Sequence, residues 1–124
     1  MGFLIVFLGG GLGAALRHGV NLTVARVLGV GFNHATLFEN VSGSLVMGLL
    51  VGYFTFKGSI PQHWRLFLTT GILGGYTTFS AFSLDFAVLV ERKAYTLAGA
   101  YALGSVAVSL VAIFLGMALA KALT

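Results

Sequence analysis

The sequence contains no cysteine, one proline and few charged residues, and each shortage excludes a class of protein. Without cysteine there are no disulfides, no thiolate metal sites and no cysteine nucleophile. Charged residues occupy 8% of the 124 positions, whereas a soluble globular domain has about 25%. Disorder requires low hydrophobicity and high net charge, so the composition excludes it as well.

A basic run is also missing, although the net charge is +4. The seven lysines and arginines are scattered at the ends of apolar stretches and form no stripe with aromatic residues. This distribution is typical of helix ends at lipid headgroups and differs from a phosphate-binding surface. We therefore expect no nucleic-acid partner and a lipid bilayer instead.

Hydrophobic residues, in contrast, make up 58% of the chain. A membrane-spanning helix needs about 20 mostly apolar residues, and four segments satisfy this requirement. The sequence predicts an all-α membrane protein, one domain over residues 1–124, with spans at about 2–27, 36–56, 65–90 and 95–119. The first segment lacks a basic region before it and a cleavage motif after it, so we interpret it as a retained helix.

The cations favour neither side of the membrane. With four spans, one side holds three cations and the other holds three, or four if Arg17 is counted there. The positive-inside rule then gives no preferred orientation, so two opposed copies can insert and pair. We expect an antiparallel homodimer on this basis. The cations on one side are Lys57, Arg65 and Lys121, and those on the other side are Arg26, Arg92 and Lys93.

Small residues recur every fourth position on two spans. Gly9 and Gly13 form one such row, and Ser44, Gly48 and Gly52 form the other. In lipid, rows of this kind let helix backbones approach closely. They predict a tightly packed helix bundle and carry no information about a transported substrate.

The third span contains the segment GILGGYTTFS at residues 71–80, which is unfavourable for a continuous helix. A glycine pair followed by hydroxyl residues weakens helical continuity, and Thr77 or Thr78 could cap a new half-helix that starts near Phe79. We predict an interruption after Leu73. The freed carbonyls at the end of the first half-helix could bind a cation, and the N–H groups at the start of the second half-helix favour an anion. The alternative is an unbroken glycine-rich helix that packs closely against its neighbours.

Two phenylalanines follow this interruption. Phe79 and Phe82 are three residues apart and share a helix face, while Ser80 and Ser83 form a polar pair one position further on. Contact with lipid, or packing in the protein core, would be enough to explain why two phenylalanines share this helix face. The positive edge of a phenyl ring could also stabilise a dehydrated anion in a narrow cavity.

Two further rows of polar residues accompany the interruption. Asn40 and Ser44 are four apart on the second span, and Tyr101, Ser105 and Ser109 repeat every four residues on the fourth. The side chains of such rows can form hydrogen bonds between neighbouring helices. Together with the interrupted helix, they favour a polar pathway for an ion.

These segments resemble the Fluc (CrcB) family of fluoride channels. The similarity covers the whole chain and is carried by GGGLGAALR at residues 9–17, TLFENVSGS at 36–44 and GILGGYTTFSAFS at 71–83. The GGxTTFSxFS pattern within the last segment is highly specific. The resemblance implies a passive fluoride channel in the bacterial plasma membrane, not an enzyme, formed by a dual-topology homodimer with two pores.

The resemblance also implies roles for individual residues. Phe79 and Phe82 match the pore phenylalanines whose ring edges meet fluoride, Asn40 matches the pore asparagine, and Arg17 matches an arginine near the pore vestibule. A structural sodium ion on the dimer axis maps onto the backbone carbonyls of Gly74 and Thr77 from both subunits. The family's remaining hydroxyl positions correspond to Thr78, Ser80 and Ser83 around the break and, more loosely, to Tyr101, Ser105 and Ser109.

One residue departs from the family pattern. Glu39 stands where the family usually has an apolar residue before the asparagine. A carboxylate is costly inside a membrane, so we expect it to face Arg17, His34 or the aqueous mouth of the pore.

A small dual-topology, proton-coupled drug or cation exporter is the main alternative. It shares the length, the span count and the charge balance, and it would need a deep carboxylate such as Glu39 or Asp85. A membrane enzyme is disfavoured because the three histidines and three acidic residues show no metal-ligand spacing and no nucleophile motif is present.

Overall fold

The computed structural model describes residues 1–29, 34–58 and 60–123, with the side chains of Phe56 and Lys57 excepted. These ranges are helical and contain no strand, which confirms the predicted all-α class. The elements are α1 (Gly2–Leu28), α2 (His34–Lys57), α3 (Gln62–Arg65), a π-helix (Leu66–Leu73), α4 (Gly74–Tyr76), α5 (Phe79–Glu91) and α6 (Tyr95–Leu123).

Four stretches of these helices are long and apolar enough to cross a membrane. They are Gly2–Leu28, His34–Thr55, Gln62–Glu91 and Tyr95–Leu123, which confirms the predicted number of spans. Parts of the first two predicted loops, residues 30–33 and Ser59, lie outside the described residues.

The second and fourth spans meet along the glycine row of α2. A methyl group on Gly48 would collide with the carbonyl oxygen of Ile113, and one on Gly52 would lie 2.7 Å from Cβ of Ala120. On the facing helix, Gly116 lies equally close to the backbone of α2. The small-residue prediction is confirmed here, because only residues without side chains permit this backbone approach.

The other row of small residues joins α1 to the π-helix. A methyl group on Gly9 would lie 2.8 Å from the carbonyl oxygen of Phe67, and one on Gly13 would collide with the carbonyl oxygen of Ile72. The first half of the third span is therefore held against α1 by backbone contact.

The third span is interrupted within the predicted segment at residues 71–80. The chain remains helical through α4 and becomes extended at Thr77 (φ −82°, ψ 156°) and Thr78 (φ −151°, ψ 121°). The interruption thus lies after Leu73, as predicted, but the chain stays helical over the glycine pair. Gly75 serves packing, since a methyl group there would collide with the carbonyl oxygen of Gly10 on α1. We refer to Thr77 and Thr78 as the break.

The second half of the third span packs against the start of α6. Leu89, Ala98 and Tyr101 form a buried cluster, and Phe82 packs against it. This contact fixes the face of α5 that carries the two phenylalanines.

Candidate functional site

Asn40 replaces the backbone hydrogen bond that the Thr78 N–H would donate in a continuous helix. Its Nδ2 donates to the Thr78 carbonyl oxygen at 3.0 Å, and the Thr78 N–H donates to its Oδ1 at 2.8 Å. A freed backbone group in lipid needs such a partner, because no water is available there. The asparagine of α2 therefore stabilises the break.

A second long-range contact comes from α1. Arg17 Nε donates to the Gly75 carbonyl oxygen at 3.1 Å. In a continuous helix this carbonyl would accept from the N–H of Phe79, which instead opens α5. The guanidinium thus takes the place of a helical donor and also brings a positive charge to the break.

The two threonines complete the local hydrogen bonding. Thr78 Oγ1 accepts from the Ala81 N–H at 3.1 Å and caps α5, which confirms the predicted cap and the predicted start of the half-helix. The N–H and the hydroxyl of Thr77 both donate to the Leu73 carbonyl oxygen at 3.0 Å.

The Gly74 carbonyl is the group that could serve a cation. Its helical donor, the Thr78 N–H, points to Asn40 instead. In the part of the chain that the structure describes, no group of three or more histidine, aspartate or glutamate side chains could hold a metal. A cation at the break would therefore depend on backbone oxygens such as those of Gly74 and Thr77.

An open cavity of about 320 Å³ lies beside the break, between α2, α5 and α6. We call it the break cavity. Eight of the predicted site residues line it: Asn40, Ser44, Thr77, Thr78, Phe79, Phe82, Ser105 and Ser109. Residues from three helices thus meet although they are up to 69 positions apart in the sequence (109 − 40 = 69).

The two phenyl rings form one wall of the break cavity. Their centroids are 5.5 Å apart with an interplanar angle of 46°. Phe79 is 77% exposed in the single chain, whereas Phe82 is half-buried and its ring lies 5.4 Å from that of Tyr101. Phe79 consequently lies at the open side of the cavity, whereas the ring of Phe82 packs against Tyr101.

Two hydroxyl residues of α6 also line the cavity. The Oγ atoms of Ser105 and Ser109 are buried and have no hydrogen-bond partner in the described protein. A buried hydroxyl without a partner is unfavourable. These two groups are therefore available to a ligand in the cavity.

The remaining predicted site residues lie outside the cavity lining. Ser80 and Ser83 are exposed on α5, and the Ser80 hydroxyl contacts that of Thr78 at 3.2 Å. Tyr101 is 4% exposed, and its hydroxyl donates to Asp85 Oδ2 at 2.8 Å. Gly74 is exposed at the start of α4.

The sequence analysis did not predict four residues of the cavity lining: Gly43, Met47, Val106 and Ile113. Gly43 allows the close approach of Thr77, because a methyl group there would collide with the threonine side chain. Extending the row of Asn40 and Ser44 by helical spacing would have found Met47. Extending the four-residue repeat of Ser105 and Ser109 on α6 would likewise have found Ile113.

Glu39 has the most unusual environment in the site region. It is 1% exposed, and its Oε2 has no hydrogen-bond partner among the described residues. The sequence offered Arg17, His34 or the aqueous mouth of the pore as the surroundings of this carboxylate. The alternative that placed it at an aqueous mouth is wrong, since α2 carries this side chain into the protein interior.

The apolar spans make this chain a multi-pass membrane protein. An interrupted span beside a cavity that holds several polar side chains is typical of proteins that bind ions inside the membrane. The chain belongs to the family described as CrcB-like protein, Camphor Resistance (CrcB), whose model matches residues 4–117.

Individual relatives are similar over nearly the whole chain. The fluoride-specific ion channel FluC of Rhodopseudomonas palustris (strain BisB5) is 62% identical, with both chains covered completely. FluC 2 of Nitrobacter hamburgensis is 57% identical, again over 100% of both chains. The FluC of Methylobacterium nodulans is 55% identical over 95% of this chain and 94% of its own. These names agree with a channel and not with an enzyme.

Proposed function

We propose that this protein is a fluoride channel that lets fluoride leave the cell passively. The observation that supports it most is the break cavity, whose lining combines two phenyl rings with two buried hydroxyls that have no hydrogen-bond partner among the described residues. Relatives that are 55–62% identical are named fluoride-specific ion channels. In a bacterium, hydrogen fluoride enters as the neutral acid and dissociates inside, so a fluoride pathway relieves toxicity.

The chemistry of the cavity suits a small anion. Fluoride is strongly hydrated, so a selective pathway must replace its water with closely placed donors. Ser105 and Ser109 provide hydroxyl donors, and the N-terminus of α5 directs free N–H groups and a positive dipole towards the break. The edges of Phe79 and Phe82 add weak positive potential without a full charge that would trap the ion.

The working unit of the proposal is an antiparallel homodimer with two pores. Phe79 is 77% exposed and the break cavity is open, so a single chain does not enclose an ion path. A second copy that covers this face would complete each pore. The balanced cations of the sequence favour opposed orientations of the two copies.

A sodium ion is also part of the proposal. The carbonyl of Gly74 lies outside the helical ladder and on an exposed surface, which fits a site shared by two copies. The Gly74 and Thr77 carbonyls of both copies would hold the ion. When bound, it would supply a fixed positive charge that lowers the cost of an anion inside the membrane.

Fluoride efflux from liposomes that contain the purified chain tests the proposal, with chloride efflux measured in parallel. We expect rapid fluoride efflux and no chloride efflux. Phe79→Ile and Phe82→Ile should each lower fluoride efflux about tenfold, the upper range for loss of an aromatic contact, while the dimer persists. Phe7→Ile is the matched control, since Phe7 is 75% exposed on α1. Unchanged efflux in both ring variants would contradict the mechanism.

The same preparation separates the channel from a proton-coupled exporter. The buried carboxylates of Glu39 and Asp85 are the groups such an exporter would need. Replacing either with its amide should abolish proton-driven cation export but only modulate a fluoride channel. Cation uptake driven by a pH gradient in the wild-type chain would favour the exporter.

A further inference from the structure

The row of hydroxyl residues on α6 ends inside the break cavity. Ser105 and Ser109 are four residues apart, and the next position of the same row is Ile113. Ile113 is half-buried and lines the cavity together with the two serines. The lining on α6 therefore changes from hydroxyl to aliphatic within one helical turn, which is about 5.4 Å along the helix axis.

The lining on α2 changes in the same way. Asn40 and Ser44 line the cavity, and the next lining residue along α2 is the half-buried Met47. Met47 directly precedes Gly48, where an added methyl group would collide with the carbonyl oxygen of Ile113. Met47 and Ile113 therefore lie at the same level of two helices whose backbones touch there. We call these two residues the apolar layer.

The glycine contacts also set the order of the layers in the cavity. Four residues after Gly48, a methyl group on Gly52 would lie 3.2 Å from Cα of Met117. The two helices thus run in the same direction with an offset of 65 positions (117 − 52 = 65). The same offset places Ser44 level with Ser109, so a layer of two hydroxyl residues comes directly before the apolar layer.

The phenyl rings lie at the other end of the cavity. Asn40 binds the backbone of Thr78 at the break, and α5 continues from there towards the start of α6, where Phe82 meets the ring of Tyr101. The apolar layer lies on the opposite side of Asn40, seven residues and about 10 Å further along α2. An ion that crosses the cavity from end to end therefore passes both the rings and the apolar layer.

The two ends of the cavity act differently on an anion. A phenyl ring offers an anion its positive edge, whereas a thioether and an alkyl side chain offer no hydrogen-bond donor. Loss of hydration without a replacement donor is unfavourable for an ion, and fluoride is strongly hydrated. Apolar constrictions can in this way control conduction through a channel.

We propose that Met47 and Ile113 form an apolar barrier that limits the rate at which fluoride passes the break cavity. The inference rests on the proposed fluoride channel and adds the step that sets its speed. At the levels of Asn40 and Ser44, both helices supply a polar side chain to the described cavity lining. At the apolar layer neither helix does, so the ion loses its donors there.

Ile113→Thr tests the barrier by a gain of function. Threonine keeps the branched shape and adds a hydroxyl donor that continues the row of α6. We expect fluoride efflux from liposomes with equal amounts of the full-length chain to rise about two- to tenfold, the equivalent of one net hydrogen bond. Ile5→Thr is the matched control, since it changes a half-buried isoleucine of α1 outside the cavity lining. An equal rise in the control would contradict the barrier.

Met47 provides a second variant on the other helix. Met47→Gln adds an amide donor at similar side-chain length and should also raise fluoride efflux about two- to tenfold. Met47→Leu keeps the layer apolar and should remain within about twofold of wild type. If neither Ile113→Thr nor Met47→Gln raises efflux, the apolar layer does not limit conduction.

The outcomes also separate the barrier from the proposed channel. Rapid efflux in wild type that neither polar variant raises refutes the barrier and leaves the channel function intact. Efflux that appears only in the polar variants supports the barrier and contradicts an open channel in wild type. Absence of fluoride efflux in wild type and in every variant refutes both.

Discussion

Replacing Asn40 with alanine tests how the break is held open. The side chain makes two hydrogen bonds to the backbone of Thr78, at 3.0 Å and 2.8 Å. Alanine would remove the acceptor of the half-buried Thr78 N–H, whereas the Thr78 carbonyl, at the N-cap of α5, keeps its bond within that helix. An N–H left without a partner costs about 1–3 kcal/mol, so we expect the free energy of unfolding to fall by that amount.

The functional effect should be larger than the loss of one cavity residue. Without Asn40, no side chain of α2 would bind the Thr78 backbone, so the extended conformation at the break would lose its support and the break cavity would change shape. We expect fluoride efflux from liposomes to fall more than tenfold.

Denaturant titration and fluoride efflux of Asn40→Ala provide the measurements. Asn21→Ala makes the same change at an exposed position of α1 and is the matched control. If both variants show the same stability and the same efflux, the amide does not hold the break.

Two further substitutions test how α1 supports the third span. Gly13→Ala should lower the free energy of unfolding by about 1–3 kcal/mol, because the added methyl group would collide with the backbone of the π-helix. Gly11→Ala is the control, since a methyl group there has open space and should leave the stability unchanged. Equal stabilities of the two variants in denaturant titration would contradict the packing. Arg17→Gln removes the guanidinium that donates to the Gly75 carbonyl, together with the positive charge of that group. Fluoride efflux should therefore fall several-fold relative to the control Arg26→Gln, which changes an exposed arginine. Equal efflux of the two variants would exclude a role for this contact.

The polar row of α6 shows how far helical spacing predicts a site. The four-residue repeat of Tyr101, Ser105 and Ser109 is real, and the two serines reach the break cavity. The Tyr101 hydroxyl instead donates to Asp85. Spacing determines which face a residue occupies, but the position of a neighbouring acceptor determines where a long side chain points.

The glycine pair of the third span shows a second limit. Glycine weakens a helix, which made the stretch after Leu73 the expected place of the interruption. In the structure these glycines are helical, and Gly75 lies against the backbone of α1. A glycine that permits close packing and a glycine that ends a helix look the same in a single sequence.

The sequence by itself determined the features that depend on neighbouring residues. Four apolar stretches specify four spans, and a threonine before a phenylalanine specifies the cap of α5, because burial in lipid and helix capping are local effects. Only the tertiary structure decided which side chains support the break and which acids are buried. Arg17 and Gly75 are 58 positions apart, and Asn40 and Thr78 are 38 apart. Such pairs form only when helices pack together, so no local pattern specifies them.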